Sequence, residues 1–403
     1  MISDWFMKLD TIQKFIWISL FSQFGRALTA VTFTLFFLSK GLNLFQVNIL
    51  AAIVFTMILF FELPTGIFAD KFSRKMSFVV ACALQGIGLF GYAAADSFEW
   101  CLLAALIDAL GVAFANGAFH AWLYDQLAHE GSQDLQRIAY AREGQMFYIA
   151  MIAGSLIGPY LAAIDPRVPW LLGGGILLLL SVVANVLMHE TYALPEIKKE
   201  VVFDFLKSHK DPVLRYIFLL GGFQVFATVA PDYQWQPFFQ GLGLSTIQLG
   251  YLLAACFVAG FIGSKIAEKF RREDSLGQTL FALQVVLGLG IIFSVAVPVA
   301  AFAISMLLIQ EVSRGMFSPV QRLFLQRNIM KSEQRATIGS LASMAGHIGA
   351  IIGLLVSGVL AHMFNIPIAW MVSGAVVIAA SAFAFWNFSK SQSWQKRCVS
   401  IFR

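Results

Sequence analysis

Five ionisable residues stand inside long apolar stretches of the chain: Arg26, Asp108, Asp232, Glu311 and Arg314. A charge in such a setting costs free energy, so it marks a candidate site for a charged substrate or a moving proton. Three acids face two guanidinium groups, which leaves one acid without a fixed partner. An acid of that kind suits proton uptake and release. Helical spacing puts Ser22, Arg26 and Thr29 on one face with Gln23 beside it, and Gln224, Thr228, Asp232 and Trp235 on one stripe. Glu311, Arg314 and Ser318 share a third face, next to Pro319, while Pro231 and Pro237 loosen the turn around Asp232. Arg26 and Asp108 fall near the middle of oppositely running stretches, so an ion pair between them is geometrically reasonable. Asp232 falls further toward the outer end. As carrier of a proton the order of expectation is Asp108, Glu311, then Asp232. Tyr233, Trp235, Phe238 and Phe239 fit either a stacking platform for a planar substrate or an interfacial belt. His120 and His347 also lie in apolar stretches, where a hydrogen-bonded packing role is the ordinary one; Glu143, beside Arg142, marks the inner end of its stretch.

The elements that must hold these groups follow from composition. Of 403 residues, 59% are hydrophobic and only 13% charged, with 39 Phe; a soluble fold cannot hide that much apolar surface. A helix crosses the hydrocarbon core in about 20 residues, so the chain accommodates about twelve spans with short loops. The expected spans are 12–38, 44–69, 76–95, 98–127, 137–163, 168–189, 213–239, 246–269, 275–295, 297–325, 335–362 and 366–388. The apolar runs are continuous rather than alternating, which excludes a membrane β-barrel. Cys82, Cys101, Cys256 and Cys398 match no disulfide or zinc spacing. The segment Met1 to Asp10 does not read as a cleaved leader.

The longest polar break, rich in Lys, Glu and Asp, divides the chain into a six-helix bundle over 1–189, a linker over 190–212, a second six-helix bundle over 213–388 and a tail over 389–403. With both termini in the cytoplasm, the 28 Lys and Arg fall on the cytoplasmic side except for Lys40 and Arg167 in outer loops and Arg26 and Arg314 within spans. That asymmetry is the positive-inside pattern of an inner-membrane protein. The net charge of +5 is thereby a topology device and implies no nucleic-acid partner.

After the second span the chain reads Glu62-Leu-Pro-Thr-Gly66-Ile-Phe-Ala-Asp70-Lys-Phe-Ser-Arg74-Lys75. In this spacing Gly66 permits close helix approach, Asp70 can cap a helix start, and Arg74 can pair with a carboxylate on a neighbouring helix. The pattern returns after the eighth span as Ser264, Glu268 and Arg272, and an equal displacement relates Arg137 to Arg335. Equal displacements point to a duplicated six-helix unit. Span count, central linker, repeat and loop motif together resemble the major facilitator superfamily of secondary transporters. The resemblance implies an all-α fold of 12 transmembrane helices in two pseudo-symmetric bundles, working by alternating access. It implies that helices one, four, seven and ten line a cavity, and all five buried charges lie on those helices. It also implies a cytoplasmic latch built on Gly66, Asp70 and Arg74, with Asp125 as the acid at the inner end of helix four, and Glu268 and Arg272 as the second copy.

Span five contains Gly154-Ser-Leu-Ile-Gly158-Pro159-Tyr-Leu-Ala162-Ala163. Gly154, Gly158 and Pro159 are similar to the helix-five motif of proton-coupled exporters in that superfamily, with Ala-Ala where the motif ends in a glycine pair and Gly144 displaced. Small residues permit a tight crossing. The chain departs from many proton antiporters in having Asp108 and Gly111 where an arginine is usual in helix four. The expected function is proton-coupled efflux of a small amphipathic organic compound, a drug or secreted metabolite. The expected protein is a monomer without metal or other cofactor, its partners being the substrate, protons and the lipid bilayer. Import of a nutrient or metal chelate is the alternative within transport. A polytopic membrane enzyme is the rival from another class, and no P-loop, metal-ligand cluster or nucleophile elbow supports it.

Overall fold

The computed structural model describes residues 10–190, 211–269, 275–328 and 334–401. Most of the expected linker, and Arg272, lie outside the described residues. The described residues form fourteen α-helices: α1 (Thr11–Ala30), α2 (Phe33–Ser39), α3 (Leu44–Lys71), α4 (Arg74–Ala94), α5 (Phe98–Ala115), α6 (Ala118–His129), α7 (Gln136–Ile164), α8 (Val168–Leu187), α9 (Pro212–Gly241), α10 (Thr246–Glu268), α11 (Leu276–Ala296), α12 (Ala300–Asn328), α13 (Gln334–Met363) and α14 (Ile366–Ile401). Eleven helical stretches are long and apolar enough to cross a membrane, or twelve when α1 and α2 count as one bent span. The polypeptide is an all-α multi-pass membrane protein.

Two expected spans are broken. The first bends by 47° between α1 and α2, within Thr29-Ala-Val-Thr-Phe-Thr34, where β-branched side chains weaken the helix. The fourth breaks at Asn116, which is extended, and Gly117, whose φ of 79° favours glycine. Conversely, the last helix runs on to Ile401 through the segment expected to be a tail, since no Gly or Pro interrupts it.

Local chemistry sets the helix starts. Asn43 and Gln46 form a reciprocal capping box at α3, and Ser245 with Gln248 forms another at α10. Asp10, Ser73, Ser97 and Asp211 cap α1, α4, α5 and α9 by accepting backbone N–H groups. Lys40, an exception to the expected charge asymmetry, donates to the Ala95 and Ala93 carbonyls at the end of α4 at 2.5 and 3.3 Å. Burial, and then the Arg167 guanidinium, pull its ammonium below the usual lysine range.

The chain divides into two compact units, Met1–Ile197 with Leu244–Ala254, and Lys198–Gly243 with Ala255–Arg403. The first turns of α10 thus pack with the first unit, where Gly250 lies against Ser155 and Pro159 and the Tyr251 and Tyr160 hydroxyls are 2.9 Å apart. Within the first unit α1 packs on α7 and α8, and α4 on α5 and α8; within the second, α9 packs on α13 and α14, and α11 on α12 and α14. The helices cross closely through glycines in corresponding places. A Cβ at Gly86 would meet the Gly174 carbonyl at 2.9 Å, and one at Gly288 would meet the Gly374 carbonyl at 2.8 Å. The first unit's core is aromatic at both ends: Phe36, Phe37, Tyr92 and Trp170 form one cluster, and Phe15, Phe78, Phe119 and Trp122 another. In the second unit Tyr216 stacks on Phe388 and donates to the Gly277 carbonyl at 2.7 Å.

Candidate functional site

In the first unit, α1 brings Arg26 and α5 brings Asp108 together. Arg26 donates to both Asp108 carboxylate oxygens, at 2.8 and 3.5 Å, and to the Gln85 side-chain oxygen at 2.8 Å. Asp108 is buried to 5% side-chain exposure, whereas Arg26 keeps 36%. The pair therefore presents a guanidinium outward and conceals its carboxylate. Two glycines make this geometry possible: Gly88 on α4 sits against the Asp108 backbone, and Gly111 on α5 sits against Gln85. Gln85 was not singled out in the sequence; its one signal is a polar side chain in an apolar helix, repeated by the buried Gln284.

In the second unit, α9 brings Asp232 and α12 brings Glu311 and Arg314 together. Arg314 makes a bidentate bond to Asp232 at 2.7 and 2.9 Å and approaches Glu311 at 3.5 Å. All three side chains are partly exposed, at 32% for Asp232, 38% for Arg314 and 19% for Glu311. Asp232, in the later part of α9, is thereby paired with Arg314 of α12. The expectation of one acid with no fixed partner changes: Glu311 shares Arg314 with Asp232. Cys256 on α10 lies within electrostatic reach of all three groups.

The two ion pairs are repeats with exchanged polarity. In each, the partners are 82 residues apart; the base lies on the first helix of one unit and the acid on the first helix of the other. The second unit's cluster has the additional carboxylate of Glu311, so with both acids ionised it carries one excess negative charge, while the first unit's pair is neutral.

The aromatic run on α9 is mainly core. Trp235 and Phe239 are buried, and Phe238 packs on Phe239 and Trp370, each with ring centroids 5.1 Å apart. Trp235, Phe238 and Phe239 therefore serve packing, while Tyr233 is half-buried.

At the turn between α3 and α4, Arg74 is buried and pairs with Asp125 on α6, with the Ala121 carbonyl at 3.0 Å and with Asp70 at 3.2 Å. Asp70 lies in the last turn of α3 and does not cap α4; Ser73 does, with its hydroxyl on the Met76 N–H, because the helix starts only at Arg74. Gly66 makes no close approach, its Cβ position being open to 4 Å. Unanticipated was Glu190, whose carboxylate accepts the Lys75 N–H at 2.7 Å. In the second copy Glu268 pairs with Lys265 at 2.9 Å, both well exposed; Arg272 lies outside the described residues. Gly154 on α7 packs on Ala27 and Gly158 on the Leu28 carbonyl of α1, so the small residues of span five make a close helix crossing. Pro159 is helical and buried. His120 bonds to Glu143 at 2.9 Å, and His347 lies 3.2 Å from the Ser343 hydroxyl. Among the described residues no cluster of three or more His, Cys, Asp or Glu is placed to hold a metal ion.

Charged groups on the first and fourth spans of each unit thus sit in an all-α multi-pass membrane fold. The chain belongs to the Major Facilitator Superfamily, whose family model matches residues 15–345. Among curated proteins it is similar to an uncharacterized MFS-type transporter, YxaM, of Bacillus subtilis (strain 168), at 23% identity over 84% of this chain and 86% of that one. Among solved structures it is similar to the nucleoside transporter NupG, with a TM-score of 0.77 and 15% identity over 95% of this chain and 100% of that one. It is also similar to a bacterial homolog of the human lysosomal transporter Spinster in an inward-facing, unoccupied conformation, with a TM-score of 0.75 and 15% identity over 94% of this chain and 96% of that one. These likenesses establish the fold.

Proposed function

We propose that the protein is a proton-coupled exporter of a small amphipathic organic compound, working by alternating access between its two six-helix halves in the cell's inner membrane with both termini cytoplasmic. The observation that carries the coupling is the sharing of Arg314 by Asp232 and Glu311 at unequal distances. A proton on Glu311 leaves a neutral, bidentate Asp232–Arg314 pair; its loss leaves the cluster with one negative charge. In a bilayer that difference is large enough to distinguish two states of a transport cycle. Asp108 suits this role less, because Arg26 holds it from both oxygens and its burial gives a proton no ready access. Glu311 therefore takes first place as coupling acid, with Asp232 at the substrate-contacting edge and Arg26 and Arg314 as fixed counter-charges. The direction of transport is supported by the span-five glycines and Pro159, whose likeness is to exporters.

The test is transport in sealed vesicles of both orientations under an imposed pH gradient, with a panel of fluorescent amphipathic cations and anions. Glu311→Gln should abolish gradient-driven accumulation while retaining gradient-independent exchange, since only proton release is lost. Full pH-gradient dependence in Glu311→Gln would overturn the assignment. Accumulation only in right-side-out vesicles would replace export by import.

A further inference from the structure

His120 and Glu143 belong to neither charged cluster. They face each other across α6 and α7, 2.9 Å from imidazole Nε2 to carboxylate, at the end of the first unit that carries the α3–α4 turn. Glu143 also accepts the Ser19 hydroxyl of α1 at 3.5 Å, so three helices converge on one carboxylate. The Tyr140 hydroxyl reaches the His120 carbonyl at 3.5 Å, and the Phe15 ring meets the imidazole edge-on at 5.8 Å.

The setting gives this pair a consequence. α6 is a short helix separated from α5 by the break at Asn116 and Gly117, and it is held in place from several sides. Asp125 and the Ala121 carbonyl bind Arg74 of α4, Trp122 donates to the His189 carbonyl at 3.0 Å, and Thr11 of α1 donates to Glu130 at 2.5 Å. Phe119 stacks between Phe15 and Phe78. Among the tethers just named, the His120–Glu143 bond is the one made through an imidazole side chain, a group of the kind whose charge changes between pH 5 and 8, whereas His189 takes part through its backbone carbonyl. Tyr140 lies against the imidazole with ring centroids 5.4 Å apart; other charged and titratable groups on the packed helices are Arg74 and Asp125, engaged with each other, and His129 and Glu130 at the end of α6. Arg137 and Arg142 of α7 are exposed, and Lys14 of α1 lies near His189.

We propose that His120 and Glu143 form a second, separate proton-binding site, and that its proton sets how firmly α6 is tied to α7. With the imidazole protonated the bond is charge-assisted and short-range attraction holds α6; with it neutral an ordinary hydrogen bond remains. The segment so controlled carries Asp125, the partner of Arg74, so this site joins proton concentration to the α3–α4 turn. The proposal is independent of any proton carried by Glu311.

The experiment is amide hydrogen exchange of the full chain in lipid nanodiscs at about pH 6 and about pH 8, corrected for intrinsic rates and read on peptides covering 118–129. Wild type should exchange about two- to fivefold more slowly at the acidic pH, the range set by a partly exposed ion pair. His120→Gln and Glu143→Gln should each remove the contrast, and either variant suffices if the other fails to accumulate. Asp125→Asn should speed exchange at both pH values and keep the contrast. Absence of a contrast in wild type, or its survival in His120→Gln or Glu143→Gln, overturns the proposal.

Discussion

Removing Arg26 should harm the protein more than removing its partner Asp108, although both changes break the same ion pair. Arg26→Gln leaves a carboxylate at 5% exposure with a neutral partner in place of a guanidinium. Loss of one member of a buried pair costs about 3–5 kcal/mol. Arg26 itself is 36% exposed, so the pair is only partly buried and the expected cost lies at the low end, about 2–3 kcal/mol. That is roughly a 30- to 150-fold change in the folding equilibrium. Asp108→Asn leaves a partly exposed guanidinium that still reaches Gln85 at 2.8 Å, and should cost about 1 kcal/mol. The double variant Arg26→Gln/Asp108→Asn removes both charges, keeps the volume that Gly88 and Gly111 accommodate, and should be more stable than Arg26→Gln alone. Thermal unfolding of the purified chain in detergent, followed by loss of the monodisperse peak, gives the ranking. Equal damage from the two single variants, or strict additivity in the double, would refute the reasoning, because either outcome means that Arg26 does not compensate Asp108.

Two further outcomes follow from the same structure. At the α3–α4 turn, Asp125→Asn should impair transport more than Asp70→Asn, because Asp125 is 14% exposed and Asp70 41%, and exposed pairs contribute only about 0–1 kcal/mol; vesicle transport with a check of membrane insertion decides it, and the reverse order would remove Asp125 as the main partner of Arg74. At the α1–α7 crossing, Gly158→Leu should destabilise by about 1–3 kcal/mol or more through collision with the Leu28 carbonyl, whereas Gly144→Ala, whose Cβ position is open, should be neutral in the same unfolding assay; tolerance of leucine at 158 would show that the crossing is not close.

Much of the architecture was legible in the residues themselves. Apolar runs of bilayer length, the one-sided distribution of Lys and Arg, and the motif from Gly66 to Lys75 specify helices, membrane and family, because each rests on local composition or short spacing. The charged residues at 26, 108, 232, 311 and 314 were also visible, since a charge in an apolar helix is conspicuous wherever the helix goes. The Arg26–Asp108 pair is expected from the opposed runs of their helices, and the Arg74–Asp125 pair from the family resemblance; what sequence could not supply was the part of Gln85 and the partners of Arg314. Arg26 and Asp108 share a pair because Gly88 and Gly111 let α4 and α5 approach until Gln85 completes it, and nothing near Gln85 in the chain announces that contact. Asp232 is paired with Arg314, and Arg314 is divided between two acids, only because α9 and α12 set side by side groups that are 82 residues apart. Likewise Asp70 yielded the helix cap to Ser73, and His120 found Glu143, through where helices begin and break. Burial cost is local and can be read along the chain; which groups compensate it depends on helix packing, and that is decided only when the helices come together.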